Sequence, residues 1–148
     1  VLALGRRLGD PPMVSAALGN LAVLEEFLGD VRAAARYYGR SLDLAERGQN
    51  HPELLLSLNN LADLHLASGE VAAAKALLER GLRLAEEVRL TRMKPLLQGN
   101  FGLCLYAEGD YANAEGALLE AYGALLGRGD KPLAAKVLHV LLDREPAR

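Results

Sequence analysis

The stretch NLADLHLASGEVAAA, residues 60–74, decides the fold because its pattern occurs three times. Its Asn-Leu-Ala opening has counterparts at residues 20–22 and 100–102, each 40 residues from the next. The turn pairs keep the same spacing, at Gly29-Asp30, Gly69-Glu70 and Gly109-Asp110. A fixed period of this size is typical of helical-repeat proteins, in which each repeat is one supersecondary unit. The sequence therefore predicts an all-α solenoid of helix-turn-helix repeats with a 40-residue period.

Composition narrows the class of protein. The chain has 148 residues, of which 51% are hydrophobic, which is enough to bury the core of one domain. Its net charge of -2 argues against nucleic acid or an anionic membrane as partner, because both need a basic surplus. No apolar run is long enough to span a membrane. The single cysteine, Cys104, excludes an intrachain disulfide and favours a reducing compartment, so we expect a cytoplasmic protein.

Turn and cap signals divide the chain into three helix pairs with a helix at either end. Gly suits the left-handed residue after a helix, and Asp30 is expected to cap the helix that follows it. The link at residues 89–92 lacks both Gly and Pro, which predicts an irregular connection. One solenoid domain, 1–148, is predicted to contain the end of a preceding helix at 1–9, repeats at 13–48, 53–88 and 93–128, and a terminal helix at 132–144. Because Val1–Leu8 already has a helical pattern and no Met precedes it, we expect a piece of a longer protein.

Small residues recur where paired helices should cross. Ala34, Ala74 and Ala114 hold one position early in each second helix, and Ala22, Ala62 and Gly102 hold one in each first helix. Two helices cannot bury their apolar faces alone, so each repeat is expected to be stabilised mainly by its neighbours.

The repeated residues resemble those of the tetratricopeptide repeat family. The resemblance lies in Asn60-Leu61-Ala62, Gly69-Glu70, Ala74, Leu78 and Gly81 and in their counterparts 40 residues away. The period exceeds the usual length of about 34 residues, and it is closer to the long repeats of kinesin light chains and bacterial regulator arms. The aromatic residue usual on the first helix is replaced by Glu25, His65 and Leu105. The resemblance implies a right-handed superhelix whose first helices line a concave groove.

By that resemblance, a peptide-binding groove is expected along the first helices. The expected groove residues are Asn20, Val23, Phe27, Leu56, Asn59, Asn60, Asp63, Leu96, Asn100 and Leu103. Asn20, Asn60 and Asn100 share one repeat position, where an amide can bond both the N–H and the C=O of an extended peptide. The alternative is that these amides tie neighbouring helices together. Some relatives use Lys and Arg side chains in the groove to bind the terminal carboxylate of a peptide. No Lys or Arg occupies the groove positions here, so this mode of binding is not expected. A partner with small apolar residues and some basic character fits better.

The sequence favours protein–protein interaction as the function. The predicted role is a scaffold that binds a peptide or partner segment in the groove; the alternative is the sensor arm of a larger bacterial signalling or transcriptional regulator. No enzyme, metal site or cofactor is predicted, because His51, His65 and His139 share no repeat position or metal spacing. Cys104 is interpreted as a buried thiol. The last helix is apolar on more than one face, so we expect it to be covered either by further chain of a longer protein or by a second copy, in a homodimer through the terminal helices.

Overall fold

The structure is a computed structural model that describes Ala3 and residues 9–143. Seven α-helices and one short 3₁₀ helix make up this part of the chain, which contains no strand. They are α1 Pro11–Leu28, α2 Val31–Arg47, α3 His51–Ala67, α4 Val71–Glu87, the 3₁₀ helix Thr91–Met93, α5 Lys94–Ala107, α6 Tyr111–Arg128 and α7 Lys131–Asp143. The all-α prediction is confirmed. The predicted helix at Val1–Leu8, except for Ala3, and the last residue of the predicted terminal segment lie outside the described residues.

Local chemistry explains where the first helices begin and end. The Asp10 carboxylate accepts a hydrogen bond from the Met13 N–H at 3.2 Å. Pro11 and Pro12 occupy the first turn, where a backbone N–H has no acceptor within the helix, so the missing N–H of proline costs little. At the other end of α1, Gly29 takes a left-handed φ of 86°. The Asp30 side chain then accepts the Ala33 N–H at 3.0 Å, as predicted.

Two of the turns use a residue other than glycine in the left-handed region. Gln49 has φ 50° and Arg89 has φ 58°, whereas Gly69, Gly109 and Gly129 occupy that region elsewhere. Arg89 belongs to the link that was predicted to be irregular. The 3₁₀ helix follows it, and α5 has 14 residues where α1 has 18.

The chain forms two compact units, and the first ends at Leu64. In this unit α1 packs against α2, and Ala22, Ala34, Tyr38 and Leu64 form a buried cluster. Ala22 and Ala34 are fully buried, so the small residues occupy the crossing as predicted. Serine hydroxyls join three helices: Ser15 Oγ lies 3.0 Å from Ser41 Oγ, which lies 3.2 Å from Ser57 Oγ.

The second unit runs from His65 onward. Here α5 packs against α4, α6 and α7, and α6 packs against α7. A Cβ added at Gly102 would lie 2.7 Å from Leu118 Cδ2, so only glycine fits this crossing without displacing a fully buried leucine. The buried core consists of Leu105, Ala114, Leu118, Ala121, Leu125, Leu133, Ala134 and Val137.

Candidate functional site

A cleft of about 250 Å³ lies in the first unit, with α1 and α3 as its walls. We call it the α1–α3 cleft. Four of the expected groove residues, Asn20, Val23, Leu56 and Asn60, line it. Its remaining lining residues are Ala16, Gly19, Tyr38, Glu53 and Ser57. The cleft is therefore bounded on both sides by the first helices of two successive repeats.

Two amides are available on the walls of this cleft. Asn20 is exposed on α1, and Asn60 is partly exposed at the equivalent position of α3. Neither amide makes a hydrogen bond or another polar contact within the described part of the chain. Each amide can therefore offer both a donor and an acceptor to a bound molecule.

The other expected asparagines have a different environment. Asn59 is 5% exposed and Asn100 is 3% exposed, and each residue has an interaction partner within the protein. The space that Gly99 leaves beside Asn100 is filled by the chain itself, because an added Cβ would lie 3.4 Å from Leu125 and from Leu133. The repeat position shared by Asn20, Asn60 and Asn100 is thus exposed in α1, partly exposed in α3 and buried in α5.

A half-buried carboxyl group, which the sequence did not single out, faces α1 across the cleft. Glu53 stands one helical turn before Leu56 on α3, and its Oε1 lies 3.9 Å from where a Cβ on Gly19 would be. Burial raises the pKa of Glu53 above its ordinary value, and the polar Ser41 hydroxyl opposes that rise. The clue was the repeat itself, because residues 13 and 93, at the same position, are methionines.

Tyr38 forms the floor of the cleft between the two walls. Its side chain is 2% exposed. Its hydroxyl donates a hydrogen bond to Glu26 Oε1 at 2.5 Å. Burial is the main cause that raises the Tyr38 pKa, and the negative charges of Glu26 and Asp63 add to the effect. The phenol therefore stays protonated and serves as a donor.

The family follows from comparison with known sequences. The family model described as Tetratricopeptide repeat matches residues 13–87, which is just over half of the chain. The chain belongs to the tetratricopeptide repeat family. Such repeats are in general scaffolds for protein–protein interaction and bind proteins or peptides. The match covers α1 to α4, and therefore includes both walls of the α1–α3 cleft.

One solved structure similar to this tetratricopeptide repeat chain is that of BtubC (BKLC) from P. vanneervenii. The two share a TM-score of 0.73 and 21% sequence identity, and the alignment covers 86% of this chain and 54% of BtubC. The chain thus spans about half the length of that relative, and the likeness shows the fold. No curated protein matches the sequence.

An apolar patch adjoins the cleft on this repeat protein. Phe27 is 88% exposed and Val23, which also lines the cleft, is 54% exposed. The patch, which we call the hairpin-tip patch, consists of Val23, Leu24, Phe27, Leu28 and Val31. At the positions of Phe27 and Leu28, the later hairpins carry small or polar residues, Ala67-Ser68 and Ala107-Glu108. The first hairpin is therefore distinguished from the others by its apolar tip.

The remaining expected groove residues contribute less to a surface site. Leu96 and Leu103 are partly buried against the core of the second unit. Asp63 is partly buried on α3, one turn beyond Asn60.

The cysteine and two of the histidines that were considered as metal ligands or reactive groups are either buried or near a carboxylate. Cys104 is buried, as interpreted from the sequence. His65 Nδ1 lies 3.0 Å from Glu70, and His139 Nε2 lies 3.3 Å from Asp143. Over Ala3 and residues 9–143, no group of three His, Cys, Asp or Glu side chains could hold a metal ion. In the same residues, no helix is both long and apolar enough to cross a membrane.

A larger cavity of about 380 Å³ lies between the start of α1 and the end of α2. Gly9, Asp10 and Arg47 are among its lining residues.

Proposed function

We propose that the α1–α3 cleft binds an extended peptide segment of a protein partner. The observation that carries this proposal is the pair of accessible amides, Asn20 and Asn60, at equivalent positions on opposite walls of one cleft. An extended peptide presents N–H and C=O groups along its length, and each amide can bond both kinds of group. Gly19 lies next to Asn20 on the α1 wall and has no side chain, so a peptide backbone can approach this wall closely.

The size of the cleft favours a peptide over a small-molecule effector. Its volume of about 250 Å³ is below the roughly 300–1,000 Å³ of typical small-ligand sites. A cleft of this size receives one or two side chains of a longer segment whose remainder lies on the surface. The adjacent hairpin-tip patch supplies such a surface, because its apolar side chains are already exposed.

A peptide-array screen with the purified chain tests the proposal. Wild-type protein is applied to arrayed random peptides, and the Kd of each hit is then measured by fluorescence anisotropy. We expect Asn20→Ala with Asn60→Ala to weaken binding about tenfold or more, because each substitution removes hydrogen bonds to the peptide backbone.

Asn113→Ala is the matched control, since Asn113 is an exposed asparagine in the second unit. This variant should bind like wild type. Circular dichroism and thermal melts of all variants separate a loss of binding from a loss of fold. Unchanged affinity in the folded Asn20/Asn60 double variant, or a screen without hits, would refute the proposal.

A further inference from the structure

Charge is segregated between the helices of the first unit. The two walls of the cleft, α1 and α3, carry four carboxylates, Glu25, Glu26, Glu53 and Asp63, and no Lys or Arg. In residues 9–64, every Lys or Arg is an exposed arginine on α2, at positions 32, 36, 40 and 47. The helices that line the cleft are therefore acidic, and the cations of this unit lie on the helix between them in sequence.

Glu53 forms no ion pair with a Lys or Arg of the described residues. It faces Gly19 across the cleft, and the side chain that opposes the rise of its pKa is the neutral Ser41 hydroxyl. A half-buried carboxylate loses hydration that a neutral hydroxyl only partly replaces, so its ionised form is disfavoured and its pKa is raised. Charged groups perturbed by burial in a cleft are frequent at functional sites. A cation that entered the cleft would restore the lost stabilisation.

We propose that the bound segment is basic, with a Lys or Arg side chain that pairs with Glu53 and an adjacent apolar residue that packs on Val23 and Phe27. This inference rests on the peptide-binding function proposed above and names the chemistry of the partner. Charge complementarity selects the cation, since the charged side chain that lines the cleft is Glu53, and α1 and α3 carry no Lys or Arg. The patch supplies the apolar contact, because Val23 belongs both to the patch and to the cleft.

Glu53→Gln is the variant that tests the ion pair. Glutamine keeps the size of the side chain, so the cleft should keep its shape. Peptides from the array are resynthesised with each Lys or Arg replaced by Met, and both versions are titrated against wild type and Glu53→Gln. We expect the hits to be enriched in Lys and Arg. One Met replacement should weaken wild-type binding about tenfold or more, and the same replacement should change the affinity of Glu53→Gln little.

Two further variants complete the design. Glu87→Gln, an exposed glutamate at the end of α4, is the matched control and should preserve the Lys-over-Met preference. Phe27→Ser should weaken binding of all hits without changing that preference.

Failure of this inference is distinct from failure of the proposed function. If peptides bind but the Met replacements cost the same in wild type and in Glu53→Gln, the basic anchor is wrong while peptide binding stands. If no peptide binds, the proposed function itself fails. If sedimentation shows that the cleft variants change only the self-association of the chain, the occupant is a second copy and the inference is overturned.

Discussion

At the scale of single residues, Glu53 links stability to binding. Its carboxyl binds a proton more tightly in the folded chain than in the unfolded chain, because burial raises its pKa. The stabilisation from this group is fully present below the ordinary pKa of glutamate and is lost as pH rises through the raised pKa of the folded chain. We therefore expect Glu53→Gln to raise the melting temperature at neutral pH, although it weakens the proposed binding. Thermal melts followed by circular dichroism measure this.

The pH dependence of the same variant supplies the internal control. The difference in melting temperature between Glu53→Gln and wild type should shrink as pH falls toward the ordinary range of glutamate. Other carboxyl groups titrate there too, but they are common to both proteins and cancel in the difference. A variant that is less stable than wild type at neutral pH would show that the carboxylate stabilises the fold.

Arg89 has a backbone conformation that costs free energy in the folded chain. Its φ of 58° lies in the left-handed region, which costs a non-glycine residue roughly 1–2 kcal/mol. Glycine removes that cost. It also makes the unfolded chain more flexible, which lowers the free energy of unfolding by about 0.4–1 kcal/mol. We expect Arg89→Gly to raise the free energy of unfolding in urea by up to about 1 kcal/mol. Arg83→Gly, at an exposed position within α4, should instead lower it by about 1 kcal/mol; equal effects would refute the strain at Arg89.

At the scale of the helices, three buried serines join α1, α2 and α3. Ser41 is the central member: its hydroxyl donates to the Ser15 carbonyl at 2.9 Å and lies 3.2 Å from Ser57 Oγ. Ser41→Ala leaves the buried Ser57 hydroxyl without its partner, which should cost about 1–3 kcal/mol of unfolding free energy. Because removal of both partners costs less than removal of one, we expect Ser57→Ala added to Ser41→Ala to restore part of the loss. Urea unfolding of the single and double variants measures this, and strictly additive losses would contradict it.

The repeat period predicted the helices well and the lining of the α1–α3 cleft only in part. Two helices begin two residues before the predicted starts of their repeats, α1 at Pro11 and α3 at His51. The reason is that the capping residues, Asp10 and Asn50, precede the apolar pattern on which the prediction rested. Site prediction assumed that equivalent positions share an environment. That assumption fails at Asn100, where Leu125 and Leu133 fill the space beside Gly99. Glu53 was not predicted as a cleft residue, because the equivalent positions of the other repeats carry a different residue type.

At the scale of the whole molecule, α7 leaves part of its apolar surface uncovered. Leu133, Ala134 and Val137 are buried in the core of the second unit, but Leu142 is 61% exposed and Leu138 is 36% exposed. The sequence predicted a homodimer through the terminal helices, and this exposed face supports the same expectation for α7. Two copies could cover these leucines against each other and remove apolar area from water.

Self-association through α7 should therefore depend on its leucines and not on the hairpin-tip patch. In sedimentation equilibrium, wild-type chain should show an average mass that rises with concentration toward that of a dimer. Leu142→Glu should hold the mass at that of a monomer, because a buried unpaired carboxylate opposes the contact. Phe27→Glu places the same charge on another exposed apolar residue and should leave the association unchanged. If instead Phe27→Glu alone abolishes association, the hairpin-tip patch is the self-contact and the basic peptide proposed for it must compete with a second copy of the chain.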